Sequence, residues 1–535
     1  MKKKILALTL CLALLVGSVF SVSVFADTGA GYTYDEATDT YTVTTADGLL
    51  AVAEAVNLGN ADCNIVLAAD IDLAGKTWTP IGTSALAYKG TFDGKNFTIK
   101  NLTKIVDYQT VGAAGYAGLI GAAAEGCTVK DLKFDGANIM GVEFTGLVIG
   151  ETKQVNSGDK TSKVTVENVH IRNSDIKGSN GWGTAPTSVN KNEYTGAIIG
   201  KAVALHTVIN NCTVVANITS ECRTAGILGG EAVGSGHTCV ISNCIVGGAI
   251  SQNKVATGSG SVKAGGATAF VGYNSSFVFS IENCVSVATL SVSNGSAGAL
   301  TFDSRKGTLN ATNCVVTGNV FGKVYDISEG INTLVNIAVY DTTATSDKTA
   351  VVADLNGKGA SAIKVDGVDT TWGEATVPVL NTKDAFKVKI ETMFASNETI
   401  KSAALNIMFP LGVEASGMQL LSGTTAASEK TSVRLVITLT SAEVEALTNV
   451  GAYISLSANA KTTGIKKATT CVYTSIKADD VQVNAELGTY FVLVEIQNIP
   501  NASFGSTIYV TPFVTAESGE VLGEEISFNV TGLIG

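Results

Sequence analysis

The chain has 535 residues, of which 57 are Gly, only 6 are Pro and 16% are charged, and its formal net charge is −11 at pH 7. That acidity, with no basic run beyond the first few residues, excludes a phosphate-neutralising nucleic-acid surface. The abundance of Gly beside Thr, Val, Ile, Asn and Ser favours short strands and tight turns over long helices.

The N-terminus reads as a signal peptide. Lys2, Lys3 and Lys4 precede an apolar run from Ile5 to Val16, and Val24-Phe25-Ala26 forms a small-x-small cleavage pattern ahead of Asp27. The run is too short to span a bilayer, and no later stretch reaches about eighteen apolar residues. Leu10, where a lipobox needs a small residue, argues against lipidation at Cys11. The mature chain is expected to begin near Asp27 and to be secreted, in association with the cell surface or free. The final residues, Thr531-Gly532-Leu533-Ile534-Gly535, carry no sorting motif.

Next comes a helix over residues 45–57. Thr45 is its N-cap, and Leu49, Leu50, Ala53 and Val56 share one face. It is expected to plug the N-terminal end of a stack of strands. Asp70 and Asp72 alternate with Ile71 and Leu73, a pattern that marks a strand edge more than a calcium site.

From residue 117 a two-part repeat takes over. The first half is an apolar glycine strand: Ala117-Gly118-Leu119-Ile120-Gly121, Thr145-Gly146-Leu147-Val148-Ile149-Gly150, Thr195-Gly196-Ala197-Ile198-Ile199-Gly200 and Ala225-Gly226-Ile227-Leu228-Gly229. Weaker copies stand at Gly265-Gly266-Ala267 and Ala297-Gly298-Ala299-Leu300. The second half is an Asn-Cys strand around Asn211-Cys212, Asn243-Cys244, Asn283-Cys284 and Asn313-Cys314, with spacings of 32, 40 and 30 residues. A unit of about thirty residues cannot bury its apolar side alone, but stacked on its neighbours it can.

Stacking predicts three rows. Leu132, Val169, Cys212, Cys244, Cys284 and Cys314 form one inward row. Ile171, Val214, Val246 and Val316 form a second, with Ser286 as the exception. Asp131, Asn168, Asn211, Asn243, Asn283 and Asn313 line a turn, where Asn tolerates left-handed backbone and amides bond to one another. Nine cysteines remain after Cys11 is removed, an odd number. With no CxxC pair, the Cys row reads as buried thiols acting as small apolar groups rather than as a metal or redox site. After Cys314 the pattern fades, and residues 321–380 are expected to hold irregular last turns.

These residues carry a family resemblance. Tyr116-Ala117-Gly118-Leu119-Ile120-Gly121 and Phe144 to Gly150 resemble the GLUG motif of bacterial surface proteins. Asp70 to Gly82, Thr91 to Leu102 and Trp372 to Leu380 are similar to the openings and endings of such domains, so the resemblance covers roughly residues 40–380. It implies a right-handed parallel β-helix and is nearly silent on activity.

Polar insertions interrupt the repeat at 151–163, 178–194 and 252–264. The middle one contains Trp182 between glycines, which either stacks on a sugar ring as a ligand-binding residue or folds back onto the scaffold. From about residue 385 longer alternating strands begin, such as Ser432 to Thr438 and Tyr490 to Ile496, with a short helix at 441–447 capped by Ser441. They suit a C-terminal β-sandwich and resemble the last modules of clostridial surface proteins. The fold class is therefore all-β, divided into residues 1–26, 27–381 and 382–535, and a cut near Leu380 is expected to leave two folded pieces.

Chemistry is sparse. His170, His206 and His237 form no HExxH or close pair, and no Gly-x-Ser-x-Gly elbow or phosphate loop is present. The best catalytic constellation is His170, Arg172 and Asp175 on one outward strand, which reads more simply as a solvated face. No catalytic residue, metal or cofactor is assigned. The expected function is non-enzymatic binding, adhesin-like, with a glycan or other host or bacterial surface polymer as partner. The alternative is a carbohydrate-active enzyme, a polysaccharide lyase or glycosidase, on the same scaffold.

Overall fold

A computed structural model of the protein describes residues 31–534 apart from 107–114, 143, 155–160, 179–193, 204–205, 232–236, 254–264, 275–276, 294, 305–306, 325–331, 345–347, 351–353, 356–361, 373, 409–411, 441–448, 459, 461–481, 485–488 and 517–518. The segment expected to be a signal peptide, Trp182 and the helix expected at 441–447 lie outside the described residues.

The described chain is mostly strand, and its first two-thirds pair in parallel. One pass of the chain comprises the strands Tyr194–Gly196, Ile199–Ala202, His206–Asn210 and Thr213–Ser220. Each pairs in parallel with its counterpart in the next pass: Arg223–Ala225, Leu228–Glu231, Thr238–Ser242 and Ile245–Gln252. Repetition of this step gives a six-stranded sheet from the first strands and an eight-stranded sheet from the second. The remainder join a 22-stranded sheet that folds over at the Asn turn. The glycines of the first half-repeat make the sharp corner between the two smaller sheets. A Cβ on Gly196 would lie 2.3 Å from the carbonyl oxygen of Ile199, and one on Gly200 would lie 2.6 Å from that of Gly150. No side chain fits there.

The three rows form as expected. Asp131, Asn168, Asn211, Asn243, Asn283 and Asn313 all have φ between 50° and 54°. Their side chains link pass to pass: Asn168 donates to Asp131 at 2.6 Å, Asn211 to Asn168 at 3.2 Å and Asn313 to Asn283 at 3.0 Å. Asn243 instead donates to Asn210, at 2.9 Å. The row also runs one pass further than the sequence reading carried it. Asn336, at φ 53°, donates to Asn313 at 2.8 Å, within a regular strand Asn332–Tyr340 paired in parallel with Thr308–Thr317. Val335-Asn336-Ile337 stands where the repeat would have Asn-Cys, and the exchange of Cys for Ile hid it.

Cys212, Cys244, Cys284 and Cys314 are fully buried and reduced, and each thiol donates to a carbonyl two residues earlier, at 3.2–3.4 Å. Ile171, Val214, Val246, Ser286 and Val316 form the second buried row, in which the Ser286 hydroxyl has no hydrogen-bond partner. Burial pushes the Cys63 thiol up to about 12 and holds those of Cys127, Cys212, Cys239 and Cys284 above the ordinary thiol range. The thiolate is the reactive form. Closed off from solvent by complete burial, the four Cys of the row are expected to resist iodoacetamide in the native protein and to react in guanidinium. Peptide mass spectrometry showing a disulfide among them would contradict this packing.

Two glycine copies sit out of the register that the sequence suggests, since Ala225 and not Gly226 stands opposite Gly196. Gly266 aligns not with Gly226 but with Arg223, and Thr268 takes the column of Gly146, Gly196 and Ala225. Gly266 is glycine for another reason: its Cβ would meet the Phe302 ring at 2.3 Å.

Helix α1, Ala46–Asn57, covers the first pass, with Thr45 Oγ1 accepting from Gly48 N at 3.1 Å. Leu49, Val52, Ala53 and Val56 are buried, so Val52 belongs to the apolar face and Leu50 only borders it. Antiparallel hairpins close both ends of the stack. At the start, Tyr32–Asp35 pairs with Thr40–Val43, and at the finish Ala362–Val365 pairs with Val368–Thr371. Trp372 is buried beyond the second hairpin, edge-on to Phe321 at 5.0 Å.

The segment after Leu380 differs from the sequence reading, which carried no helix there. Helices α2 (Lys383–Met393) and α3 (Glu398–Met408) pack against the outer face of the large sheet. An outward row in register runs Thr213, Ile245, Val285, Val315, Ala338. It turns from polar to apolar, and its apolar members lie in one buried cluster with Phe386, Ile390, Phe394, Ile400 and Leu405. The amphipathic period of α2 and α3 is masked in the sequence by the strand-like segments on either side. Lys389 Nζ and Asn397 Nδ2 also donate into the Asn row, to Asn336 at 2.7 Å and Asn243 at 3.1 Å.

Beyond α3 the described residues form two antiparallel sheets of four strands each. One is built around Lys430–Thr440 and Thr489–Pro500, the other around Ile508–Ala516. Val433, Leu435 and Ile437 of the first share one core with Val510 and Val514 of the second.

Candidate functional site

The constellation His170, Arg172 and Asp175 does not converge. Each member is engaged locally. His170 Nε2 lies 2.9 Å from Asn168 Oδ1, and burial, then the charge of Lys133, holds the imidazole below its ordinary pKa. Arg172 donates to Asp135 at 2.9 Å. Asp175 accepts from Asn217 at 3.1 Å and pairs with Lys177. Asn173, with φ 49°, interrupts the strand between them and shifts the register there.

Asp70 and Asp72 are likewise committed. Asp70 accepts from Thr98 N at 2.9 Å and pairs with Lys100 at 3.0 Å, while Asp72 accepts from Asn101 at 2.8 Å and Ala74 N at 2.9 Å. These bonds, the Thr98 amide first for Asp70 and the Asn101 amide first for Asp72, hold both carboxyls below the usual range. Among the described residues no group of three His, Cys, Asp or Glu is placed to hold a metal ion. No helix among them is long and apolar enough to cross a membrane.

A different place gathers functional side chains. Where the two smaller sheets meet, on the side away from the core, two columns in register face each other. One runs Tyr116, Phe144, Tyr194, Arg223. The other runs Ala122, Glu151, Lys201, Gly230, and Tyr273 belongs to the following pass. Aromatic rings and charges alternate along this seam. The rings of Tyr116 and Phe144 stack at 5.7 Å, and Tyr116 donates to Glu151 at 3.0 Å. Lys201 pairs with Glu151 at 3.4 Å and lies 4.4 Å above the Phe144 ring. The Arg223 guanidinium lies 4.6 Å from the Tyr194 ring and 3.9 Å from that of Tyr273. Burial raises the Tyr194 hydroxyl to about 12.

These residues escaped the sequence reading, which treated the glycine motif as architecture alone. The signal was there: an aromatic two places before the first glycine in Tyr116, Phe144 and Tyr194, replaced by Arg223 in the next pass, and a charge just after the last glycine in Glu151 and Lys201. Each insertion has one end on a strand of the two smaller sheets that carry this seam and the other end on the large sheet. Lys153 and Gly178, Tyr194 and Gln252, and Gly265 are the described residues at or beside their ends.

Comparison with known proteins gives no relative: no family model, no curated protein and no solved structure matches this chain.

Proposed function

We propose that the protein is a secreted, non-enzymatic binding protein of adhesin type, and that it holds an extended glycan or other cell-surface polymer. Its scaffold in this reading is a right-handed parallel β-helix of GLUG type with an N-terminal capping helix, followed by a C-terminal β-sandwich. The parallel register from pass to pass supports the scaffold, since stacked equivalent strands are how a solenoid buries its core. The observation that carries the function is the seam of rings and charges running along the stack, on sheets where each polar insertion has one end. A repeated face offers many weak, equivalent contacts to a polymer, which suits binding by avidity.

The test is a panel of acidic and neutral polysaccharides presented to the chain from residue 27 to 535. Binding without release of reducing or unsaturated ends is expected, and turnover on any of them would make the protein an enzyme instead. On the middle insertion, the sequence points to Trp182, whose indole offers a flat face to a sugar. Trp182→Ala is expected to weaken binding by about 1–3 kcal/mol with an unchanged melting temperature. An unaltered affinity would remove Trp182 from the contact surface.

A further inference from the structure

The seam contains a charge with no ion-pair partner among the described residues. Arg223 is 2% exposed, and its Nε and Nη1 have no hydrogen-bond partner. No carboxylate lies within ion-pair distance of it among the described residues, whereas Lys201, one pass earlier, has Glu151 at 3.4 Å. Glu231, buried in the same pass, is near enough for its charge to act on the Tyr194 hydroxyl, but it forms no ion pair with Arg223. A buried cation with unmet donors is costly unless an anion completes it. Its two faces are already taken, by Tyr194 and Tyr273. That leaves its edges, and the edge of a guanidinium is the part that matches a carboxylate or a sulfate.

We infer that Arg223 is a subsite for an anionic group of the ligand, the carboxylate or sulfate ester of an acidic polysaccharide. This rests on the polymer-binding reading above and narrows it to a substrate class. The anion arrives edge-on between the two tyrosines. Tyr273, at 9% exposure against 4% for Tyr194, is the ring that turns aside to admit it. Lys201 contributes little attraction, because Glu151 already neutralises it. One unpaired guanidinium among the described residues of the stack predicts one anionic contact in register with many neutral ones, so salt should weaken binding with a slope near that of one ion pair.

Calorimetry on the full mature chain tests this with two matched pairs: polygalacturonate against its fully methyl-esterified form, and dextran sulfate against dextran. At least one charged polymer is expected to bind about tenfold or more tighter than its neutral partner, consistent with a charge-assisted hydrogen bond. Which pair shows the margin tells carboxylate from sulfate. Arg223→Gln and Arg223→Met should erase the margin, bringing the affinity for the charged polymer down to that for its neutral partner. Their melting temperatures should equal or exceed that of the parent, because an uncompensated buried charge has been removed. Loss of folding in both variants would mark Arg223 as structural and overturn the subsite. The unmodified chain provides a further check. A carboxylate margin should vanish below about pH 3, where uronates protonate, while a sulfate margin should persist. Equal affinity for charged and neutral polymers overturns the subsite and leaves the polymer reading intact. Binding to none of the four overturns both.

Discussion

Cys244→Asp is expected to leave the first two-thirds of the chain unable to fold. Cys244 is wholly buried in the middle of its row, with Cys212 before it and Cys284 after. Its thiol donates to Ser242 O at 3.2 Å, and its own amide donates to the Cys284 sulfur at 3.4 Å. A carboxylate there meets carbonyl oxygens, which repel it, and no cation. Burying such an ion costs several kcal/mol even after relaxation, a large part of the roughly 5–15 kcal/mol that holds a domain together. Protonation would relieve the charge but leave a larger group in a space sized for one sulfur. Cys244→Ser separates charge from polarity. Its hydroxyl can donate to Ser242 O as the thiol does, so a loss of only about 1 kcal/mol is expected. Circular dichroism and thermal melting of the three proteins decide the matter. A Cys244→Asp chain with the parent's melting temperature would show that the row does not face the core.

The second large effect concerns α2 and α3. A chain ending at residue 381 is expected to aggregate and to bind a hydrophobic dye, whereas one ending at residue 409 should remain soluble. The shorter chain uncovers Ile245, Val285, Val315 and Ala338 along one outward row. It also forfeits the burial of Phe386, Ile390, Phe394, Ile400 and Leu405. At about 2 kcal/mol for each of these five large side chains, the loss reaches about 10 kcal/mol as an upper bound. A milder version is Phe386→Ala, with an expected cost of about 3–5 kcal/mol. A monomeric 27–381 chain with an unchanged melting temperature would show the helices to be dispensable. The packing thus puts the natural cut after residue 408 rather than near Leu380.

Much of the architecture was legible because the repeat writes the same requirement many times. Asn at a left-handed turn and a small apolar group just after it recur at each pass, so Asn211, Asn243, Asn283 and Asn313 identify one another. Where the requirement is met by different residue types, the eye fails: Ile337 serves the row as well as Cys314, and the last pass was missed. Gly266 was misassigned for the converse reason, a matching residue serving a different need. The helices were hidden because the outward row changes character only from Ile245 onward, and that change has meaning only once the register is known. The seam was hidden by its mixed chemistry. Rings, lysine, arginine and glutamate share no pattern in the sequence and acquire one only when the passes are laid side by side.

The Asn row has a direction. Asn336 donates to Asn313, which donates to Asn283, and further back Asn211 donates to Asn168, which donates to Asp131. Every one of these amides gives its proton toward the N-terminal end, where the oldest acceptor is a carboxylate, and Lys389 supplies a cation to the youngest. Along each of these two runs a chain emerging from synthesis N-terminus first meets acceptor oxygens already in place; between the runs the row is broken at Asn243, which donates to Asn210 and accepts from Asn397. Each new pass can be proofread against the one before, since an amide that arrives out of step finds no oxygen. The last oxygen waits for Lys389, which lies 53 residues beyond Asn336. Completion of this last run is thus a report that its passes have been laid down in order, delivered by a segment made only after them.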